Sequence, residues 1–255
     1  MTVIGCETYK YFLSDYIHRL ERSKLNKPRR QKPNKQLYRM KCPLCDCYPA
    51  IFQLKSDLRE YWFCQKCCLV FVPPKFFIPR EEEVKRYLEH ENSLGNEGYV
   101  KMFQEKINTM KKICPGTSTV MDYGCGYEPV LKSLLEREGY QVNAYDPNFF
   151  PNGDSRKEYD LLVSTETFEH FKKPREELTH LIPKISNRGH LVVMTRFYPE
   201  KKNALCLDSF SKWYYKRDPT HVAFYGQKTF SWIAEEFKMK ICHNNKVDFI
   251  IFQKQ

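Results

Sequence analysis

The chain has 255 residues, 42% apolar and 29% charged, with a formal net charge of +11, which allows one sizeable globular domain and a small module beside it. No run of eighteen apolar residues occurs, which argues against a membrane-spanning helix. The first residues include Glu7, Asp15 and Glu21 and no apolar core, so no secretory signal is expected.

The charge is unevenly placed. Residues 1–80 carry 16 Lys/Arg against 6 Asp/Glu, whereas residues 81–255 carry 26 against 25. Residues 1–41 read as an N-terminal helix and a basic linker. Within them, Arg22 to Lys41 hold nine basic residues and no acidic one, with Pro28 and Pro33 breaking any helix. Such a segment serves either as a solvated tether or as an arm for RNA phosphates, and both readings stand at this point.

Residues 42–74 hold two CxxC pairs, Cys42/Cys45 and Cys64/Cys67, eighteen residues apart. Each tight turn aims two thiolates at one point, and two turns complete a tetrahedral Zn2+ site. Strands are expected at Ile51–Leu54, Glu60–Phe63 and Leu69–Val72, the pattern of a zinc ribbon. Four thiolates leave no open coordination position, so the metal's expected role is structural. Cys47 and Cys68 adjoin the pairs as possible substitutes, and Cys68 reads as a bystander. Eleven cysteines without a secretory signal fit a reducing compartment, with the cytoplasm as the expected location.

Residues 75–114 read as a helical lid or linker, with helices at Glu81–Glu91 and Glu97–Lys112. Tyr87, His90 and Tyr99 are its candidates to cover a ligand, or simply to pack. From residue 115 to 255 the pattern becomes alternating strand and helix. Val120 and Met121 begin a short strand that ends at Asp122 and enters the turn Tyr123-Gly124-Cys125-Gly126. Val130, Leu131, Leu134 and Leu135 then follow at helical spacing. A glycine turn between strand and helix lets backbone approach a nucleotide-like ligand. The acid before it suits a cationic ligand such as S-adenosylmethionine (SAM). Gln141–Asp146 reads as a second strand ending in an acid twenty residues past Gly126, where a carboxylate can accept from ribose hydroxyls. Tyr159–Ser164 reads as a buried strand, Thr165–Phe171 as the opening of a helix, and Ser186–Met194 as a turn and the next strand.

In these motifs the chain resembles the class I SAM-dependent methyltransferases, although Glu128 replaces the third glycine of their first motif. The resemblance implies a doubly wound, mostly parallel, seven-stranded α/β sheet, with a SAM site at Asp122, Tyr123, Gly124, Gly126, Asp146, Thr165 and Glu166. Asp160–Phe171 and the segment Lys216–Tyr225 look like those of small-molecule methylases. They make His170 and His221 candidate catalytic residues, as base or substrate hydrogen bonder, against structural roles for both. The ribbon-then-methyltransferase order is shared with guanine methyltransferases of ribosomal RNA and with nucleotide-sugar C-methyltransferases. The acceptor is therefore expected to be a small metabolite or, alternatively, RNA; a non-catalytic SAM-fold binding protein is the remote third reading. No catalytic metal is expected, since the spacing shows no second ligand cluster. Residues 196–226, rich in aromatics, read as a long loop that builds specificity.

Overall fold

The computed structural model describes residues 40–89, 93–153 and 157–255. The basic arm, apart from Met40 and Lys41, and the candidate His90 lie outside these residues. Residues 40–255 form a single compact unit.

The cysteine pairs flank a hairpin of β1 (Ile51–Ser56) and β2 (Arg59–Phe63), followed by β3 (Val70–Phe71). Two helices come next. α1 (Arg80–Leu88) starts behind Pro79 with Glu81, Glu82 and Glu83 in its first turn, and α2 (Glu97–Ile113) is capped by the Asn96 side chain accepting from the Tyr99 N–H at 3.1 Å. Acids at the start and Lys111 and Lys112 at the end match the helix dipole.

The remaining chain runs through β4 (Thr119–Tyr123), α3 (Val130–Arg137), β5 (Gln141–Tyr145), β6 (Tyr159–Thr165), α4 (Pro174–Leu181), β7 (Ile185–Met194), β8 (Glu200–Lys201), β9 (Ala204–Leu205), α5 (Leu207–Lys212), β10 (Ala223–Phe224), α6 (Gln227–Glu236), β11 (Met239–Asn244) and β12 (Phe249–Lys254). The main sheet has the order β11-β12-β7-β6-β4-β5. β5, β4, β6 and β7 pair parallel, and β12 is antiparallel to both β7 and β11. It is a mostly parallel α/β sheet, as expected, but among the described residues it has six strands and not seven. Only residues 146–158 join β5 to β6, and their described part folds into a turn closed by the Asp146–Phe150 bridge. That length is at the lower limit for any parallel crossover, so it cannot supply another strand and return, and β5 is left as the edge.

Alternation along the buried strands divides the core in two. Val120, Leu161, Val163 and Val192 pack on one face with α2 and α3. Met121, Leu162, Leu191 and Val193 pack on the other with α4 and α6. The cysteine module belongs to this second face, since Cys42, Leu44, Trp62 and Cys64 share a cluster with Tyr225 and Phe230. The aromatic segment 196–226 also differs from a loop. It contributes β10 to the ribbon sheet, whose order is β1-β2-β3-β10, and packs Phe210, Tyr215 and Phe224 against Tyr61 and Phe63. Thr165–Phe171 likewise makes only a single 3-10 turn at Phe168–His170, because Pro174 begins the helix proper.

Candidate active site

The carboxyl ends of β4, β5 and β6 open onto a cavity of about 1090 Å3 that α1, α2 and the segment Tyr214–His221 also wall. That is at the upper end of the usual size, about 300–1,000 Å3, for a small-molecule site. Asp122, Tyr123, Gly124, Gly126, Asp146, Thr165, Glu166, His170 and His221 all line it. The two lid candidates within the described residues, Tyr87 and Tyr99, do so too.

Gly124 and Gly126 both take left-handed backbone, at φ +77° and +69°, where a side chain is strained. A Cβ on Gly124 would meet Thr167 Oγ1 at 2.2 Å, whereas one on Gly126 would meet nothing within 4 Å. The first glycine therefore lets β6's exit pack against the turn, and the second leaves the cavity open. Glu128 is not among the residues with positive φ and precedes α3 by two positions, so the turn does not require glycine there.

Asp122 is buried, and burial raises its pKa to about 7, against the lowering effect of the Lys132 backbone N–H. Asp146 accepts from the Gly126 N–H at 3.2 Å, the Asn148 N–H at 2.8 Å and the Phe149 N–H at 3.2 Å. Three of its four acceptor positions are thus taken within the protein, tying the end of β5 to the glycine turn. Tyr123 stacks on Tyr145 at 5.1 Å and donates to Glu177 at 2.8 Å. Thr165 Oγ1 lies 3.5 Å from Met194 Sδ.

Past β6 the chain bends at Glu166, a left-handed non-glycine residue at φ +47°, pinned by its N–H donating to the Met194 carbonyl at 2.7 Å. Such strain persists only where the surroundings impose it. The bend sets Glu166 beside Glu169, and the Tyr215 hydroxyl bridges them, 2.8 Å from Glu166 Oε2 and hydrogen-bonded to Glu169 Oε1. Burial, and next the charge of Glu166, push Glu169 well above the usual carboxylate range; burial likewise raises Glu166.

His170 and His221 meet with ring centroids 4.8 Å apart. His170 Nδ1 contacts the Thr220 carbonyl at 3.1 Å and His221 Nδ1 the Tyr215 carbonyl at 2.7 Å. With Glu169 they form a set of potential metal ligands whose donor atoms all lie within 4.8 Å of one another. The sequence reading anticipated no second ligand cluster. His221 lies about fifty residues beyond the adjacent Glu169 and His170, and Glu169 and Tyr215 are not among the site residues expected from the sequence. The available signal was the spacing Glu166-x-x-Glu169-His170, which a single 3-10 turn converts into one cluster.

In the ribbon, the Sγ atoms of Cys42, Cys45, Cys64 and Cys67 also lie within 4.8 Å of one another, and all four residues are buried. Cys42–Cys67 and Cys45–Cys64 are 3.5 and 3.3 Å apart. A tetrahedron with Zn–S near 2.3 Å has edges of about 3.8 Å, so the four sulfurs fit a zinc ion. Cys47 and Cys68 are outside the group, and Cys68 has left-handed backbone at φ +59°.

A family model described as a methyltransferase domain matches residues 85–243, more than half of the chain. The chain belongs to the methyltransferase-domain family. This methyltransferase is similar in structure to an O-methyltransferase family protein from Burkholderia thailandensis, with 13% identity, a TM-score of 0.47, and coverage of 67% of this chain and 62% of that one. It is also similar to the plantazolicin methyltransferase BpumL in complex with a monoazolic desmethylPZN analog and SAH, with 12% identity, a TM-score of 0.46, and coverage of 69% of this chain and 91% of that one. The chain thus spans about three-fifths of the length of the Burkholderia protein. No curated protein matches the sequence. Among the described residues, no helix of this methyltransferase is long and apolar enough to cross a membrane.

Proposed function

We propose that this methyltransferase moves the methyl group of SAM to a small-molecule acceptor, and that its four cysteines hold a structural zinc ion. The observation that carries the reading is the glycine turn between two acids at the carboxyl end of a parallel sheet. Gly126 leaves space where a Cβ would enter the cavity, and Asp146 holds that turn by the Gly126 N–H. Gly124, Gly126 and Asp146 would bind the cofactor's nucleoside part, and Asp122 would favour its cationic end. SAM supplies an electrophilic methyl on a sulfonium; the protein supplies alignment and shielding from water. The acceptor enters beside Tyr87, Tyr99, His170 and His221, in a cavity that α1 and α2 roof over, which favours a small molecule over a duplex. The positive balance of residues 1–80 supports RNA as the second reading.

Titration of the protein with SAM tests the cofactor: micromolar binding that Asp122→Ala weakens at least tenfold is expected, and the absence of binding heat would refute it. Mass spectrometry of RNA and of metabolites from matched deletion and wild-type cells tests the acceptor. A methyl group missing from one metabolite supports the first reading, and one missing from RNA the second.

A further inference from the structure

We infer that Glu169, His170 and His221 bind a divalent cation at the wall of the cavity, which the two histidines line. Three observations lead there. The first is the geometry: two histidines and a carboxylate, contributed by the turn after β6 and the segment before β10, have donor atoms within 4.8 Å. The second is the orientation of the rings. Each Nδ1 lies against a backbone carbonyl, the arrangement by which metal-ligating histidines are commonly fixed, with Nε2 as the ligand. The third is the Glu169 carboxyl itself. It is fully buried, and among the described residues its Oε2 has no hydrogen-bond partner and no lysine or arginine pairs with it. Buried carboxylates are ordinarily paired or bound to a metal. A cation bound here supplies the missing partner.

Two imidazoles and one carboxylate suit Mn2+, Fe2+, Co2+ or Zn2+ and leave positions open for oxygen ligands. The strand leading into the site, β6, lies two strand spacings, about 10 Å, from β5 and Asp146. The ligand set therefore follows a different strand from Asp146, the residue assigned to the cofactor's nucleoside part. The cation's consequence for chemistry rests on the methyl-transfer reading above. An acceptor hydroxyl that ligated the cation would be acidified; its proton would leave to water, its oxygen would form the new O–CH3 bond, and the sulfonium would take the S–CH3 electron pair to become a thioether. Two neighbouring oxygens on the acceptor, as in a vicinal diol or catechol, would chelate the open positions.

MnCl2 is the probe, because Mn2+ has little affinity for the thiolates of the cysteine site. Zinc-loaded full-length protein is titrated without SAM or acceptor, following the electron paramagnetic resonance signal of free Mn2+. The expected result is one Mn2+ bound per chain, with 14N modulation from two imidazoles in the pulsed spectrum. Glu169→Gln, His170→Ala and His221→Ala should each weaken binding at least tenfold. No stoichiometric binding, or bound Mn2+ whose wild-type spectrum lacks imidazole nitrogen, overturns the site even if a variant fails to fold. A parallel SAM titration separates the two claims: protein that binds SAM but no Mn2+ refutes the cation site alone, and protein that binds Mn2+ but no SAM refutes methyl transfer alone.

Discussion

Replacing each glycine of the β4–α3 turn by alanine separates the structural part of that turn from its binding part. Both positions are left-handed, so each alanine costs about 1–2 kcal/mol of backbone strain. Beyond that the two differ. At Gly124 the new Cβ would sit 2.2 Å from Thr167 Oγ1 and 2.4 Å from its Cγ2. Thr167 cannot simply swing away, because its hydroxyl donates to the Thr165 carbonyl at 2.8 Å and to the Gly124 carbonyl at 3.3 Å. Overpacking of this kind adds about 1–3 kcal/mol, giving a total of about 2–5 kcal/mol for Gly124→Ala. At Gly126 the Cβ meets nothing, and strain alone should lower the melting temperature by about 2–8 °C, at about 2–4 °C per kcal/mol for a domain of this size. The order reverses for ligand binding. The Gly126→Ala methyl occupies cavity space, and SAM affinity should fall at least tenfold in a protein that remains folded. Denaturant unfolding and calorimetric titration of both variants provide the assay. If Gly124→Ala is no less stable than Gly126→Ala, or Gly126→Ala binds SAM normally, the division of labour is wrong.

Three further outcomes follow from the same geometry. Because burial places the Asp122 pKa near 7, well above its unfolded value, the folded protein holds a proton that the unfolded chain loses. Its contribution to stability is full below about pH 4 and declines as pH rises to 7. The carboxylate form attracts a sulfonium, so SAM affinity should rise up to about tenfold per pH unit below 7 and level off above; a flat titration profile, or an unchanged one in Asp122→Asn, would refute this. Glu128 has no left-handed backbone to relieve, so Glu128→Gly should change the SAM Kd by less than about threefold while lowering stability by about 0.5–1 kcal/mol; a large gain in affinity on calorimetry would show the native turn to be weakened. Zinc analysis should find one ion per chain, lost in Cys64→Ser. Since the ribbon shares one core with the sheet, that variant should lower the unfolding midpoint of the whole unit rather than produce a separate early transition.

The strands were legible where burial dictates the residue pattern. Leu161–Ser164 is buried on both faces, as a central parallel strand must be, and its apolar run was readable as such. Val120 and Met121, leading to Asp122 and two glycines, revealed the turn because only glycine tolerates the backbone required there. The six-strand sheet was not legible. Whether the thirteen residues after β5 carry a strand depends on how the chain crosses the sheet, and composition is silent on that. The fate of residues 196–226 was hidden for a similar reason. Their aromatics resemble a ligand-binding loop, but Phe210 and Phe224 pack on the ribbon, while Tyr215 packs there and also lines the cavity. The cluster of Glu169, His170 and His221 was concealed by sequence distance, which no local periodicity encodes.

The ribbon's partnership with that segment gives it a role in the site. Arg59, at the start of β2, has a buried side chain with no acidic partner among the described residues; its guanidinium donates instead to the carbonyls of Lys216, Asp218, Pro219 and His221. The Tyr61 hydroxyl donates to the Lys216 carbonyl as well, at 3.1 Å, and Lys216 Nζ returns to Ser56 at 2.8 Å and pairs with Asp57. The β1–β2 hairpin thus sets the backbone on which His221 is mounted. Arg59→Met keeps much of the side chain's bulk but takes this donor from four carbonyls, of which those of Lys216 and Asp218 keep the Tyr61 hydroxyl and the His221 N–H. At about 1–3 kcal/mol for each buried group left unsatisfied, and with water able to enter at the edge, the segment should shift rather than the ribbon unfold. The expected outcome is one zinc per chain retained, SAM affinity within about threefold of wild type, and a fall in kcat of at least tenfold once an acceptor is in hand. Zinc loss would mean that Arg59 supports the ribbon rather than the segment. An unchanged kcat would mean that neither the segment nor His221 acts in the reaction.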